Sequence, residues 1–280
     1  MPELPEVETV CLGLRPVLTG RRLTRVEARS PALRWPLPEG FAARVEGRRV
    51  EAVDRRAKFI LLHLDDGHSV LAHLGMSGRI TVPGEPTTPY DRHDHLVLTT
   101  DAGAQARLND PRRFGIVDLA PTETLGAHRL LAHLGPEPLA GSFDGPTLAA
   151  ALAGRRTPIK QALLDQKVVA GLGNIYVCEA LFDAGISPRR LARGVQGKRA
   201  RDLAAAIRDV LARAVAAGGS SLRDYRQASG ELGMFQHAWA VYAREGEACP
   251  GCACDVAATG GIRRLVQSGR ATFYCPRRQR

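Results

Sequence analysis

The chain has no long apolar run and almost no lysine. Nowhere in its 280 residues does a hydrophobic stretch approach the ~20 positions that a membrane-spanning helix needs. The first twenty residues lack the basic-then-apolar layout of a signal peptide, so an intracellular, cytoplasmic protein is expected. Internal repeats and low-complexity tracts are missing too. Cysteine is sparse until late: Cys11 and Cys178 stand alone, whereas Cys249, Cys252, Cys254 and Cys275 crowd into the last 32 residues. In a reducing compartment such clustering points to a metal before disulfides.

What is present in quantity is positive charge. A formal net charge of +10 and a pI near 9.8 make nucleic acid the first candidate partner. Charge alone leaves a second reading open, because 35 arginines against 4 lysines is also a compositional habit. That habit singles out one position. Lys58 is the only lysine in the first 159 residues, at the mouth of the apolar run in RRAKFILLHL. Arginine cannot give up its proton in a protein, whereas a desolvated lysine can, so a lysine retained here suggests chemistry. The alternative is a lysine snorkelling from a strand edge.

With 44% hydrophobic residues, the chain can bury one large or two modest cores. The opening MPELPEVETV predicts a helix from about Pro5, with proline in the first turn, Glu6 and Glu8 complementing the dipole, and Val7, Val10, Cys11, Leu14 and Leu18 on one face. Pro2 and Glu3 lie just outside it and need another reason. From residue 21 to about 120, short apolar stretches broken by turn signals at 65–67 and 101–103 predict antiparallel hairpins forming a sandwich or barrel. From about 121 the period becomes helical, most clearly in 198–219, where Leu203, Ile207, Val210, Leu211 and Ala214 share a face and two glycines end the helix. KVVAGLGNIYVCEALF breaks a helical pattern at Gly171 and Gly173 and resumes it at Asn174, a helix pair whose turn offers N–H groups to a DNA phosphate. Residues 245–280 have the texture of a small ribbon.

These motifs converge. PELPEVE, RRAKF, HLGMSG at 73–78, RHDH at 92–95, NDPRRFG at 109–115, HLGPEPL at 133–139, GLGNIY at 171–176 and ATFYC at 271–275 closely resemble the bacterial formamidopyrimidine-DNA glycosylase family, in order and spacing, from residue 2 to the C-terminus. The resemblance implies an α+β multidomain protein: an N-terminal β-sandwich with a leading helix (1–125), a helical helix-two-turn-helix domain (126–240) and a zinc-ribbon-type finger (241–280). It implies a bifunctional DNA glycosylase and AP lyase that excises oxidised purines from double-stranded DNA, acting as a monomer near the nucleoid. Pro2, freed of Met1, would be the amine nucleophile, Glu3 the proton donor to the opening sugar, Lys58 the proton donor in β-elimination and a phosphate contact, and Arg270, in the loop before ATFYC, the promoter of δ-elimination. His93, Arg112, Arg156 and Asn174 match DNA-contacting positions. Met76, Arg112 and Phe114 match the residues that fill the stack after the damaged base is turned out. An endonuclease VIII-like enzyme for oxidised pyrimidines is the rival within the family, on which the loop ASGELGMF at 228–235 bears. A non-catalytic DNA-binding protein is the rival outside it.

The finger departs from the family pattern. Tetrahedral zinc takes four ligands. Cys249-x-x-Cys252 and Cys275 supply three, but Arg278 stands where the fourth cysteine belongs and the gap between pairs is long. Zinc, one per chain, is the expected cofactor, held by these three cysteines plus Cys254 or water; the alternative is a ribbon that folds without metal. Arg278 is expected to pair with a phosphate or with a carboxylate such as Asp255.

Overall fold

The computed structural model describes residues 1–85, 87–221, 225–253 and 255–280. It divides into two units, the first comprising 1–132 and 215–236, the second 133–214 and 237–280.

In the first unit, α1 (Leu4–Leu18) starts at Glu3, whose extended backbone makes it the N-cap. Three residues on, the Glu6 carboxylate accepts the Glu3 N–H at 2.8 Å, which satisfies one of the donors that a helix start leaves open. Val7, Val10, Cys11, Leu14 and Leu18 are all buried, as their spacing predicts. The strands are β1 (Leu23–Ala28), then, after the short α2 (Phe41–Val45), β2 (Val50–Arg56), β3 (Phe59–Leu64), β4 (His68–His73), β5 (Arg79–Thr81), β6 (Asp94–Thr100), β7 (Gln105–Asn109) and β8 (Ile116–Pro121). They form two antiparallel sheets, ordered β1-β6-β7-β5 and β2-β3-β4-β8, which make the N-terminal β-sandwich. Helix α1 lies along β2 and β3, with the Arg15 guanidinium donating to Val53 O at 3.0 Å. Its apolar face joins side chains of both sheets in one core. There Cys11 is a packing residue, its thiol pushed up to about 12 by burial.

The second unit contains α3 (Gly145–Leu152), α4 (Ile159–Leu164), α5 (Asn174–Asp183), most of α6 (Lys198–Ala216), the single turn α7 (Val256–Thr259), and the hairpin of β9 (Arg263–Gln267) and β10 (Arg270–Tyr274). Asp144 caps α3 by accepting the Thr147 N–H at 2.8 Å. The α4–α5 connection is organised by Gln166, which accepts the Gly171 N–H at 2.9 Å and donates to Leu172 O at 2.9 Å. Gly171 has a φ of 82°, a conformation that glycine adopts without Cβ strain. The α6 face built by Leu203, Ile207, Val210, Leu211 and Ala214 is buried as its period predicts. Arg270 opens β10, paired with Gln267, rather than lying in the preceding loop; the reversal is completed by Ser268 and Gly269, both at positive φ. Among the described residues no helix is long and apolar enough to cross a membrane.

Candidate active site and nucleic-acid interface

The first unit carries most of the residues singled out in the sequence. Pro2 and Glu3 are buried ahead of α1, under an exposed Met1. Their backbone is fixed from two directions by Glu6, whose carboxylate takes the Glu3 N–H through one oxygen and the Ser220 N–H, also at 2.8 Å, through the other. Tyr225 reinforces the junction, its hydroxyl donating to Glu6 O at 3.3 Å or Gly218 O at 3.1 Å. Ser220 and Tyr225 are thus tied to the head of α1.

Lys58 occupies the two-residue turn between β2 and β3, which the pairing of Arg56 with Phe59 closes. Its partner in the turn, Ala57, has a φ of 54°, a strained setting for a residue with a Cβ. Arg55 braces this turn, donating to Ala57 O at 3.0 Å and to Glu8 of α1 at 2.8 Å. Lys58 is 7% exposed, so it is not the solvated edge lysine of the alternative reading. Burial, aided by the nearby charges of Lys58 and Arg34, holds the His73 imidazole down at about 4. His73 is therefore neutral, with Nδ1 accepting the Gly75 N–H at 3.0 Å.

Two loops meet beyond it. Gly75 has a φ of 63°, and a Cβ there would lie 2.4 Å from the carbonyl carbon of Phe114, so only glycine lets the 75–78 loop touch the 110–115 loop. Fully buried Asp110 fastens them together, accepting the Ser77 hydroxyl at 2.7 Å and the Gly115 N–H at 2.7 Å. Above this knot Met76 and Phe114 remain 44% and 42% exposed, large apolar side chains that core packing does not explain. The Arg112 guanidinium lies 4.6 Å from the Phe114 ring centroid. His93 is half-buried nearby in sequence, its N–H held by the Asp91 carboxylate at 2.7 Å and its carbonyl accepting the Asp110 N–H at 3.0 Å.

In the second unit, Arg270 is exposed at the start of β10. The carbonyl of the next residue, Ala271, is gripped twice, by the Lys160 ammonium at 2.9 Å and by the Asn174 side-chain amide at 2.9 Å. Lys160 is 0% exposed and also donates to Thr272 Oγ1 at 2.7 Å. The other Asn174 donor reaches Tyr242 OH at a long 3.4 Å. Arg156 is exposed just ahead of α4. The sulfurs of Cys249, Cys252 and Cys275 lie within 4.8 Å of one another, close enough to hold a metal ion. Arg278 cannot complete that set, since a guanidinium has no lone pair to give. Nor does it pair with Asp255, whose carboxylate instead caps α7 by accepting the Ala257 N–H at 2.9 Å. It donates to the carbonyls of Phe182 at 3.1 Å and Gly251 at 3.1 Å. Cys254, the other ligand candidate, lies outside the described residues.

A family profile described as the formamidopyrimidine-DNA glycosylase N-terminal domain matches residues 1–117, and one described as the H2TH domain of the same enzyme matches residues 134–226. Proteins named formamidopyrimidine-DNA glycosylase from Rhodospirillum rubrum and Rhodospirillum centenum are each 60% identical to this chain, over the whole length of both partners. The chain belongs to the formamidopyrimidine-DNA glycosylase family. Solved structures of the family agree: the MutM (Fpg) protein of Thermus thermophilus aligns with a TM-score of 0.86 at 42% identity, covering 99% of this chain and 98% of that one. A complex between Lactococcus lactis Fpg and DNA containing an abasic site aligns at 0.89 and 32% identity over 100% of both.

Within this glycosylase family frame, Pro2, Glu3, Lys58, Met76, His93, Arg112 and Phe114 fall in the first matched segment and Arg156 and Asn174 in the second, whereas Arg270, Cys249, Cys252 and Cys275 lie beyond both. The supporting residues Glu6, Asp110 and Lys160 are not evident from sequence reading. Two left a trace: Glu6 stands three residues after the helix cap, and Lys160 is one of only 4 lysines.

Proposed function

We propose that this chain is a DNA glycosylase and AP lyase of base excision repair that removes oxidised purines, 8-oxoguanine and formamidopyrimidines, from duplex DNA. The observation that carries the reading is the Pro2-Glu3 step, buried and clamped through Glu6 at the head of α1 in a member of this family. Loss of Met1 leaves Pro2 with a secondary amine, and a terminal amine titrates near ~8, so a useful fraction is neutral and nucleophilic at physiological pH. Its lone pair bonds to C1′ of the damaged nucleotide, the base departs with the electrons of the glycosidic bond, and the N–H proton of the amine passes to the departing base. Glu3 gives a proton to O4′ as the sugar ring opens, producing an iminium that needs no further proton. That cation acidifies the C2′ hydrogen. Its loss expels the 3′ phosphate, with Lys58 as proton donor; loss of the C4′ hydrogen then expels the 5′ phosphate, promoted by Arg270. Water finally hydrolyses the iminium and returns Pro2.

Met76, Arg112 and Phe114 fill the vacated stack, and Arg112 also hydrogen-bonds the orphaned base opposite. His93, Arg156 and Asn174 contact phosphates, Asn174 by exchanging its long bond to Tyr242 for a phosphate oxygen. Cys249, Cys252 and Cys275 are the candidate zinc ligands. The working division is 1–125 for catalysis, 126–240 for helix-two-turn-helix binding and 241–280 for the finger, in a monomer of the cytoplasm associated with the nucleoid.

Glu3→Gln tests the reading. Excision of an intact 8-oxoguanine is expected to vanish while cleavage at a preformed abasic site persists in part, because ring opening there needs less help. Equal loss on both substrates would remove the separate acid role.

A further inference from the structure

The zinc ion of a ribbon acts mechanically, joining two cysteine knuckles that share too little apolar surface to hold each other. Here the second knuckle retains its turn, with the Arg278 N–H aimed at Cys275 Sγ at 3.4 Å. The Arg278 side chain crosses directly to the first knuckle, Nη1 donating to Gly251 O at 3.1 Å. It continues to the end of α5, where Nε donates to Phe182 O at 3.1 Å, Nη2 to Asp183 O at 3.4 Å, and the guanidinium lies 4.8 Å from the Phe182 ring centroid. The last carbonyls of a helix lack intrahelical donors and its C-terminus attracts cations, so a planar three-nitrogen fork suits this place. A Cβ on Gly251 would fall 2.7 Å from Nη1, so the side chain lies flush on the first knuckle. The tail adds to the attachment: Gln279 accepts the Cys275 N–H at 2.8 Å and donates to Ile186 O at 3.0 Å, and the Arg280 N–H donates to Gly185 O at 3.1 Å.

We propose that Arg278 has taken over the fourth ligand's mechanical role, its guanidinium latching the two knuckles to each other and to α5, so that the ribbon keeps its fold without bound metal. Any ion held by the three cysteines is then weakly bound and dispensable to the ribbon's structure.

The test uses the full-length protein, with metal content measured by elemental analysis and ribbon integrity by limited proteolysis, before and after EDTA. The wild type is expected to keep its ribbon protected when stripped of metal. Arg278→Ala is expected to be cut within the ribbon about tenfold faster, with or without zinc, since cleavage follows local opening. Arg278→Cys restores the fourth thiolate and removes the latch, so its protection becomes conditional, present with zinc and lost with EDTA. This variant keeps the test decisive should Arg278→Ala fail to fold. The proposal is overturned if EDTA opens the wild-type ribbon as far as Arg278→Ala does, or if stripped Arg278→Ala or Arg278→Cys stays as protected as stripped wild type. It is equally overturned if the wild type holds zinc through chelation and Cys254→Ser, by releasing that zinc, opens the ribbon.

Discussion

At the scale of single residues, the account turns on which side chains can lose or lend a proton. Lys58 was legible in the sequence because arginine is written almost everywhere else, and its burial in the β2–β3 turn fits a chemical role. Lys58→Arg is expected to bind abasic DNA nearly as well as wild type but to cut it at least tenfold more slowly, since guanidinium holds its proton too tightly. Single-turnover cleavage at matched occupancy measures this, and a wild-type rate would reduce Lys58 to an electrostatic contact. Pro2 and Glu3 were legible as well, through the motif they open. Glu6 was not, because its second partner, Ser220, is 214 positions away along the chain. A carboxylate that clamps two backbones looks like any first-turn glutamate until the fold brings the second one to it.

At the scale of elements, periodicity carried most of the structure. The apolar face of α1, the turn signals at 65–67 and 101–103 and the helical face of α6 all follow from local spacing, which is why they could be read directly. The knot between the 75–78 and 110–115 loops could not, because it joins motifs 33 residues apart through the buried Asp110 carboxylate. Asp110→Ala leaves the Ser77 hydroxyl and the Gly115 N–H unsatisfied, at about 1–3 kcal/mol each. Urea denaturation is expected to show a loss of roughly 2–6 kcal/mol by the same accounting, and a loss under about 0.5 kcal/mol, typical of neutral surface changes, would contradict the assignment. His73, which ends β4 just before the 75–78 loop, carries a pH dependence. The folded His73 pKa, about 4, lies below the usual 6.5, so the unfolded chain binds the extra proton. The contribution of this group is complete above pH 6.5 and falls as the pH drops towards 4, by at most roughly 3 kcal/mol. Protonation at Nδ1 also removes the acceptor of the Gly75 N–H. His73→Gln should flatten the stability-against-pH profile across that interval; an unchanged slope would place the titration elsewhere.

At the scale of the whole molecule, sequence resemblance runs from residue 2 to the C-terminus, and the fold and family were both legible from it. The ribbon was legible only as a departure, since which groups Arg278 reaches is fixed by the packing of 251 and 182–183 rather than by spacing along the chain. The net charge of +10 supports a duplex partner without naming the chemistry. The proposed chemistry rests on one covalent bond, between the Pro2 amine and the sugar. Borohydride reduction during turnover on duplexes carrying 8-oxoguanine or thymine glycol interrogates that bond directly, with the attachment point read by mass spectrometry of the N-terminal peptide. The account predicts a stable adduct on Pro2, formed faster with the 8-oxoguanine duplex and lost when Met1 is retained. An adduct on a lysine side chain, or full activity with Met1 in place, would contradict the terminal-amine mechanism, and faster trapping on thymine glycol would contradict the preference for oxidised purines.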